Sequence, residues 1–347
     1  MAIYATVMGL LLLNELFCHT KGTDKYRKKA VFLCGLVLVF VSGFRYLVGT
    51  DYLTYMSSYR SYSDSAISWL TQPGVNLVAR LAKFIYDDYA TWFFIMAMIA
   101  IIPVVIMIIK YCDYPELGLF LFVGLGCWHF SFNIVKQCAS AAILLCGFQA
   151  LVKKDFKKWL IICLIASAFH FSALLMIPVF FLVNQRITLK QIIITFGIGF
   201  ALLFFYDKLF ELASFLKQGQ NLVEIYGHTR NDSVNFIRIL VNFAPGLLAL
   251  IYRKKLDFED RSFAVLFNMS LLNMALNIGS MNSIYLYRIC CYTNIYNVLF
   301  VPAVLKRIKN PDRAIITLLM MLLYIGFWWH DLSVGTSLSE FHWIFER

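Results

Sequence analysis

A chain of 347 residues in which 61% are hydrophobic and only 15% are charged is too apolar for a soluble globular protein, because about a quarter of the residues in soluble domains are charged. The net charge is +11, and in a membrane protein such an excess belongs in cytoplasmic loops, so it does not indicate a nucleic-acid partner. The composition predicts an all-α polytopic membrane protein with a single integral membrane domain over residues 1–347.

Apolar runs of nearly membrane-spanning length begin at the first residue and recur along the chain. A helix needs about 20 residues to cross a hydrocarbon core of about 30 Å. The first run has no basic segment before it, so we predict a retained helix and not a cleaved signal peptide. We expect about ten transmembrane helices, which cover approximately residues 1–17, 29–46, 90–109, 117–131, 134–152, 190–206, 236–252, 262–280, 288–305 and 314–330.

Four clusters of Lys and Arg separate these runs and set their expected orientation. They lie at residues 21–29, 153–158, 253–261 and 306–313. Short loops rich in Lys and Arg stay in the cytoplasm, so we place all four clusters there. With that orientation, both termini and the polar segments at residues 45–89 and 207–235 lie outside.

One apolar segment, residues 159–183, does not fit this orientation as a simple crossing. If it crossed the membrane once, the last two basic clusters would face outside. A broken helix that enters and returns keeps every cluster inside, and half of the segment, about 12 residues, reaches past mid-membrane. We therefore predict a re-entrant hairpin that turns at residues 169–172 and places His170 at the floor of a cavity. The alternative is one long tilted helix whose histidine packs against a neighbour.

The segment SGFRYLVGTDYLTY, residues 42–55, combines Arg45 and Asp51 with the start of a tyrosine stripe at the mouth of the second span. Tyr52 and Tyr55 begin the stripe, whose spacing puts its members on one helical face. Tyrosine rings stack on sugars, and they also populate membrane interfaces. Residues 77–85 show the apolar spacing of an amphipathic helix, which we expect to lie on the outer leaflet.

Cationic side chains from four spans fall at similar depth on the outward side. They are Arg45, Lys136, Arg238 and Arg288. Ionisable groups at membrane depth cost about 2.5–3.5 kcal/mol each, so they tend to face cavities and serve a function. A cluster of Arg and Lys with few acids suits a pyrophosphate. Each cation also has a structural explanation, since a long side chain near a helix end reaches lipid phosphates.

Four motifs are similar, in this order, to the EpsG family of polysaccharide polymerases, relatives in role of the Wzy-type O-antigen and capsule polymerases. The motifs are FRYLVGTDYLTY, NIVKQCASAAILLCGF, KKDFKKWLIICLIASAFHFSALLMIPVFF and YRICCYTNIYNVLFVP. Together they extend over most of the chain. One position departs from the family pattern, because Lys136 stands where the family usually has Arg, so a point charge replaces a bidentate fork.

The resemblance implies a reaction on the outer face of a bacterial plasma membrane. The enzyme joins oligosaccharide repeat units carried on undecaprenyl pyrophosphate and releases the lipid pyrophosphate, a GT-C-like role with no cofactor and no metal. The sequence agrees in showing neither a DxD in an outward loop nor a Gly-rich phosphate loop. The implied partners are the lipid-linked oligosaccharide, membrane lipids, a chain-length regulator and a flippase.

The expected residue roles follow from the chemistry of that transfer. Cations stabilise the charge on the departing pyrophosphate, a role expected for Arg45, Lys136, Arg288 and Arg238. A general base assists the attacking hydroxyl, and a pKa near neutrality suits that role best, which favours His170. Asp51 is the other candidate base, and it also suits an orienting partner of His170 or an ion-pair partner of Arg45. The side chains expected to bind glycan are Tyr52, Tyr55, Gln137 and Tyr292.

Three other functional classes stay open from the sequence. A lipid-linked glycan flippase also uses broken helices near the membrane midplane, but its polar residues are expected on both sides of the bilayer centre. A membrane O-acyltransferase also places a histidine in an apolar setting, but it modifies glycans without lengthening them. A structural membrane scaffold leaves the convergent cations unexplained.

Overall fold

The computed structural model describes residues 1–21, 23–67, 72–214, 234–334 and 336–347, and these residues form an almost entirely helical protein. The helical class that the sequence predicts is confirmed, and one short two-stranded sheet accompanies the helices. Of the segment predicted to lie outside at residues 207–235, residues 215–233 are not among the described residues.

The helices differ widely in length, and several are separated by a single residue. In chain order, they are α1 (Ala2–Lys21), α2 (Asp24–Gly43), α3 (Tyr52–Asp64), α4 (Pro73–Ile85), α5 (Tyr89–Tyr111), α6 (Pro115–Gly124), α7 (Cys127–Asn133), α8 (Val135–Cys146), α9 (Phe148–Val152), α10 (Phe156–Ser167), α11 (Val179–Val183), α12 (Leu189–Ser214), α13 (Phe236–Tyr252), α14 (Arg261–Gly279), α15 (Ile284–Ile289), α16 (Cys291–Asn294), α17 (Asn297–Arg307), α18 (Asp312–Val334) and α19 (Thr336–Ser339). The 3-10 segments are Phe171–Met176, Arg253–Lys255 and Ile344–Glu346, and the strands are β1 (Arg45–Tyr46) and β2 (His342–Trp343).

Helix length and composition identify the segments that are able to cross a membrane. Among the described residues, four helices qualify, namely α5, α13 with the turn that follows it, α14 and α18. Two bent pairs raise the number to six, because α6 and α7 meet at 44° and α15–α16 meets α17 at 51°. The shorter apolar helices have 10–17 residues, so length alone supports four to six of the ten expected spans.

Polar contacts gather the four basic clusters at one end of the helix bundle. Glu116, in the first turn of α6, contacts the first cluster, and Asp113, just before α6, contacts the last cluster. The contacts that join the clusters are Arg27–Glu116, Lys306–Asp113 (2.6 Å), Arg307–Asp260 (2.5 Å) and Arg261 Nε–Val152 O (2.7 Å). We call this end the basic end. Its composition is what the positive-inside rule requires of a cytoplasmic face.

The segment predicted to be a hairpin reverses direction in the structure. Helix α10 ends at Ser167, and the chain returns along it as a 3-10 segment followed by α11. Trp159 Nε1 donates to Met176 O at 3.0 Å, and the rings of Phe156 and Phe180 lie 5.1 Å apart. The two halves are therefore antiparallel neighbours, and the predicted break near residues 169–172 agrees with this geometry better than a single long helix does.

The C-terminal residues fold across the end of the bundle that lies opposite the basic end. Strand β2 pairs antiparallel with β1, and Ile344 donates its N–H to Phe44 O (2.8 Å). Arg347 lies 2.7 Å from Asp88, the N-cap of α5, and this contact lowers the pKa of the Asp88 carboxyl. The sheet was not predicted, because a two-residue pairing leaves no periodic pattern in the sequence.

Helix α4 is amphipathic, as the sequence predicts, but its large apolar side chains are the ones it exposes. Val75, Ala79 and Ala82 are fully buried, whereas Phe84 and Ile85 are exposed. The side chains on the buried face are small, so α4 packs closely on α5. Its exposed apolar face is the kind of surface that lies in a membrane interface.

Candidate active site

The segment between α2 and α3 is a compact loop that places Asp51 at the end opposite the basic end. Gly49 has a φ of 106° and donates its N–H to Ser337 O (3.0 Å). Thr50 donates its N–H to Asn133 Oδ1 (2.8 Å) at the end of α7. Asp51 is the residue immediately before α3. The loop therefore determines where the carboxylate of Asp51 lies.

Replacing Gly49 by alanine is expected to lower the free energy of unfolding by about 2–4 kcal/mol. A Cβ at this position would lie 2.4 Å from Phe132 O, a clash that adds to the roughly 1–2 kcal/mol cost of a left-handed conformation. The measurement is the thermal midpoint of the purified protein in detergent. Gly9→Ala is the matched control, since the structure places no atom within 4 Å of its Cβ. Equal midpoints for the two variants would contradict the described loop.

Arg288 reaches Asp51 from the second half of the chain. Its Nη1 lies 3.2 Å from Asp51 Oδ2, and the two side chains are 29% and 25% exposed. The guanidinium also covers the ring of Tyr285 at 5.5 Å. Because a guanidinium has five N–H donors, a contact with one carboxylate leaves other donors of Arg288 able to form hydrogen bonds. Arg288 is therefore a cation at an accessible surface that is able to bind a second anion.

His170 lies at the turn of the hairpin and begins a chain of hydrogen bonds. Its Nδ1 lies 2.7 Å from Ser172 Oγ, which in turn lies 2.7 Å from Tyr292 OH. The amide of Gln137 donates to the same Ser172 oxygen at 3.5 Å. Tyr292 and Gln137 are buried. Residues from the hairpin, α8 and α16 thus meet at one serine hydroxyl.

Lys136 stands at the start of α8, on the same surface. Its Nζ lies 3.5 Å from Tyr62 OH and 5.7 Å from the centre of the Tyr55 ring. Cation–π contacts of this kind favour a charged ammonium beside tyrosine. They hold the positive charge of Lys136 beside α3.

The charges of these side chains act on one another. Arg288, which contacts Asp51, stands four residues before Tyr292, and Lys136 directly precedes Gln137, so each cation is close in the chain to a residue that bonds to Ser172. Burial raises the pKa of Tyr55, and Asp51 adds to that shift while Arg288 opposes it. The group therefore shares one electrostatic environment. We call it the polar cluster, and its members are Asp51, Lys136, Gln137, His170, Ser172, Arg288 and Tyr292.

Arg45 has different surroundings from those that the sequence led us to expect. It is 2% exposed, and its guanidinium donates to the backbone carbonyls of Ser42, Val48 and Phe132. The rings of Phe93 and Phe132 lie 4.9 Å from it. Arg45 thus joins the end of α2, the loop and α7, and its donors point into the protein.

Two of the tyrosines expected to bind glycan are part of the packed core. Tyr52 stacks on Phe93 with ring centres 4.4 Å apart, and its hydroxyl donates to Arg45 O at 3.3 Å. Tyr52 and Tyr55 are both buried. Their rings therefore fix α3 against α5, and they present little surface on which a sugar could stack.

Arg238 is not part of the polar cluster. Its Nε lies 2.5 Å from Asp331 Oδ1, and both line a cavity of about 40 Å³ between α7, α8, α13, α15 and α18. Asn242 lines the same cavity and donates to Tyr287 OH (3.1 Å). Because Asp331 balances its charge, Arg238 adds no net positive charge at this place.

Asn133 and Asp331 were not singled out in the sequence, and Ser172 was placed at the hairpin turn without a role in the site. For Ser172 the signal was present, because a serine two residues after His170 in a turn is well placed to bond back to it. Asn133 and Asp331 gain their roles from contacts with distant parts of the chain, at Thr50 and Arg238. No spacing in the sequence reports such contacts.

Comparison with known proteins gives one match. The sequence model of the EpsG family matches residues 28–344, a range that contains the whole polar cluster and both strands. No curated protein and no solved structure matches the chain significantly.

Proposed function

The chain belongs to the EpsG family, and from that membership we propose that it is a membrane glycosyltransferase that polymerises oligosaccharide repeat units on the outer face of the bacterial plasma membrane. The family is associated with polysaccharide polymerase activity. The finer part of the proposal is the donor, which we take to be an oligosaccharide linked to undecaprenyl pyrophosphate.

The location of the polar cluster carries this proposal. It lies at the end of the bundle opposite the basic end, and its members come from the α2–α3 loop, α8, the hairpin, α15 and α16. It combines two cations, a carboxylate and an imidazole. This set suits a transfer in which a hydroxyl loses a proton while a diphosphate gains negative charge.

The cations that we assign to the pyrophosphate are Arg288 and Lys136. Both lie in the polar cluster, where they would stabilise the leaving group more strongly as its charge develops. Arg45 would act indirectly, by fixing the loop that carries Asp51. Arg238, which is paired with Asp331, would keep a separate role in the cavity beside α13. Gln137 and Tyr292 would position the hairpin.

We propose a topology of about ten spans plus the re-entrant hairpin. The basic end would face the cytoplasm, both termini would lie outside, and α4 would rest on the outer leaflet. A chain-length regulator and a flippase are the protein partners that this function would require.

Cysteine labelling tests this topology in a variant that lacks the nine native cysteines. Glu340→Cys is expected to react with a membrane-impermeant maleimide added to intact cells, because this side chain is 84% exposed on the C-terminal tail. Lys154→Cys and Arg186→Cys, on exposed residues before and after the hairpin, are expected to react only after permeabilisation. Labelling of Arg186→Cys in intact cells would show a single crossing and contradict the hairpin.

The activity is tested with purified protein and an undecaprenyl-pyrophosphate oligosaccharide. A ladder of dimers and longer glycans is the expected product, with release of the lipid pyrophosphate. A flippase would move the lipid across vesicles without lengthening the glycan, and an O-acyltransferase would need an acyl donor and give no ladder. Absence of a ladder with folded protein and the native repeat unit would exclude the polymerase.

A further inference from the structure

We propose that His170 serves the reaction as a neutral hydrogen-bond donor through Nε2–H and that Asp51 receives the proton of the attacking hydroxyl. Ser172 and Tyr292 are positioning residues that hold the imidazole in this tautomer. The inference rests on the proposed function, because it concerns transfer from a lipid pyrophosphate. It assigns separate roles to the two residues that the sequence offers as bases.

The Nδ1 atom of His170 is engaged as an acceptor. His170 is the N-cap of the 3-10 segment, and Ser172 donates its backbone N–H to Nδ1 at 3.4 Å. A backbone N–H only donates, so a proton on Nδ1 would face another proton at this contact. A neutral imidazole carries one N–H, and in this geometry it belongs on Nε2.

The hydroxyl groups of Ser172 and Tyr292 are also arranged so that Nδ1 of His170 accepts a hydrogen bond. If Nδ1 accepts, Ser172 Oγ–H donates to it over 2.7 Å, and Tyr292 O–H donates to Ser172 Oγ over 2.7 Å. The amide nitrogen of Gln137, which also only donates, approaches the same oxygen at 3.5 Å. In this arrangement Ser172 Oγ accepts hydrogen bonds from Tyr292 and Gln137, and it donates its own proton to His170.

A doubly protonated imidazole is opposed by its neighbours. Lys136 and Arg288 bring two positive charges into the polar cluster, and like charges disfavour a further proton on the ring. In the neutral tautomer described here, Nε2 has no lone pair in the ring plane. It is therefore unable to take the proton from a sugar hydroxyl.

Asp51, unlike His170 Nε2, is able to accept the proton of the sugar hydroxyl. Its Oδ2 accepts from Arg288 (3.2 Å) and its Oδ1 from Thr50 (3.4 Å), and a carboxylate has about four acceptor positions. In the transfer, the acceptor oxygen bonds to the anomeric carbon and its proton moves to Asp51. The bond from that carbon to the phosphate oxygen breaks, and its electron pair leaves with the diphosphate. His170 Nε2–H donates a hydrogen bond to that diphosphate and keeps its proton.

Nitrogen NMR of protein labelled at its six histidines tests the tautomer directly. The His170 signal is assigned as the one that disappears in His170→Gln. We expect a proton on Nε2 and none on Nδ1, and a proton on Nδ1 at neutral pH would overturn the proposal. This readout does not depend on turnover, so it separates failure of the tautomer from failure of the polymerase assignment.

Two substitutions at His170 test the donor role in the polymerase assay. A glutamine amide nitrogen takes the place of Nε2–H but has no basic lone pair, whereas alanine has neither. His170→Ala is expected to lower kcat by about 10²–10³-fold, and His170→Gln by less than about 10-fold. Equal losses in the two variants, with unchanged thermal midpoints, would show that the lone pair was needed and would overturn the donor role.

Asp51→Asn, which keeps the size of Asp51, is expected to lower kcat by about 10²–10⁴-fold. A variant with normal kcat would overturn the role of Asp51 as base.

Tyr292→Phe tests the positioning role, with Tyr296→Phe as its matched control. Both tyrosines are fully buried, but the hydroxyl of Tyr296 donates to Leu144 O (2.8 Å) outside the polar cluster. Tyr292→Phe is expected to lower kcat by about 5–10-fold with KM unchanged, and to add an Nδ1-protonated population to the His170 spectrum. If neither kcat nor the spectrum differs from those of Tyr296→Phe, Tyr292 does not hold the tautomer.

Discussion

The Arg288→Ala variant is expected to polymerise lipid-linked glycan about 10²–10³-fold more slowly than the parent protein, while it inserts into the membrane in normal amounts. Arg288 presents its guanidinium at a partly exposed surface, 3.2 Å from Asp51. Its removal takes away donors for the departing diphosphate and leaves Asp51 without its ion-pair partner. The measurement is the rate of ladder growth with purified protein at saturating donor, where the loss should appear in kcat.

Two further variants define what this loss means. Arg288→Lys keeps the positive charge but not the planar fork of the guanidinium, so its polymerisation rate is expected to lie between those of Arg288→Ala and the parent protein. Arg60→Ala is the matched control, because Arg60 pairs with Asp87 (2.6 Å) yet is 61% exposed and lies outside the polar cluster. A normal rate for Arg288→Ala would remove Arg288 from the pyrophosphate site.

The features that the sequence predicts best are those that depend on apolar runs and on charge along the chain. The four basic clusters were expected on one face, and contacts such as Lys306–Asp113 gather them at one end. The break in residues 159–183 was inferred from the same charges, because an unbroken crossing would have divided the clusters. The span count is harder to predict, since bent pairs such as α6 and α7 divide one apolar run into two helices.

The environments of individual arginines were beyond the reach of the sequence. Arg45 and Arg288 both stand at the outward ends of apolar runs, and nothing in their neighbourhoods separates them. In the structure, Phe132 O and the ring of Phe93 enclose Arg45, whereas Arg288 stays partly exposed. Phe132 is 87 residues and Phe93 is 48 residues after Arg45 in the chain. Only the folded protein therefore distinguishes the surroundings of Arg45 from those of Arg288.

The assembly of the polar cluster was predicted in part. Asp51, Lys136, His170 and Arg288 were expected to meet, and the structure places all four in the polar cluster, where Arg288 contacts Asp51 and His170 contacts Ser172. Ser172 was expected at the hairpin turn, but its bonds to Gln137 and Tyr292 were not predicted because these partners are distant in the chain. The support that the loop receives from the C-terminal tail was also missed, since it depends on a sheet of two residues in each strand.

The Arg45→Ala variant is expected to lose polymerase activity for a different reason from Arg288→Ala, through the fold. The guanidinium of Arg45 bonds to three backbone carbonyls in a site that is 2% exposed. An acceptor left buried without a donor costs about 1–3 kcal/mol, so the free energy of unfolding should fall by at least about 2 kcal/mol. The measurement is the thermal midpoint in detergent, recorded beside the kcat and KM of the protein that stays folded.

Arg45→Lys should not restore stability, because a single ammonium does not reproduce the planar fork that reaches carbonyls on three sides. Arg80→Ala, on the exposed face of α4, is the control and should leave the midpoint unchanged. If Arg45→Ala kept the parent's midpoint but bound lipid pyrophosphate more weakly, Arg45 would belong to the ligand site. A lower midpoint, with unchanged KM in the folded fraction, would instead show that this cation holds the catalytic loop and never touches the substrate.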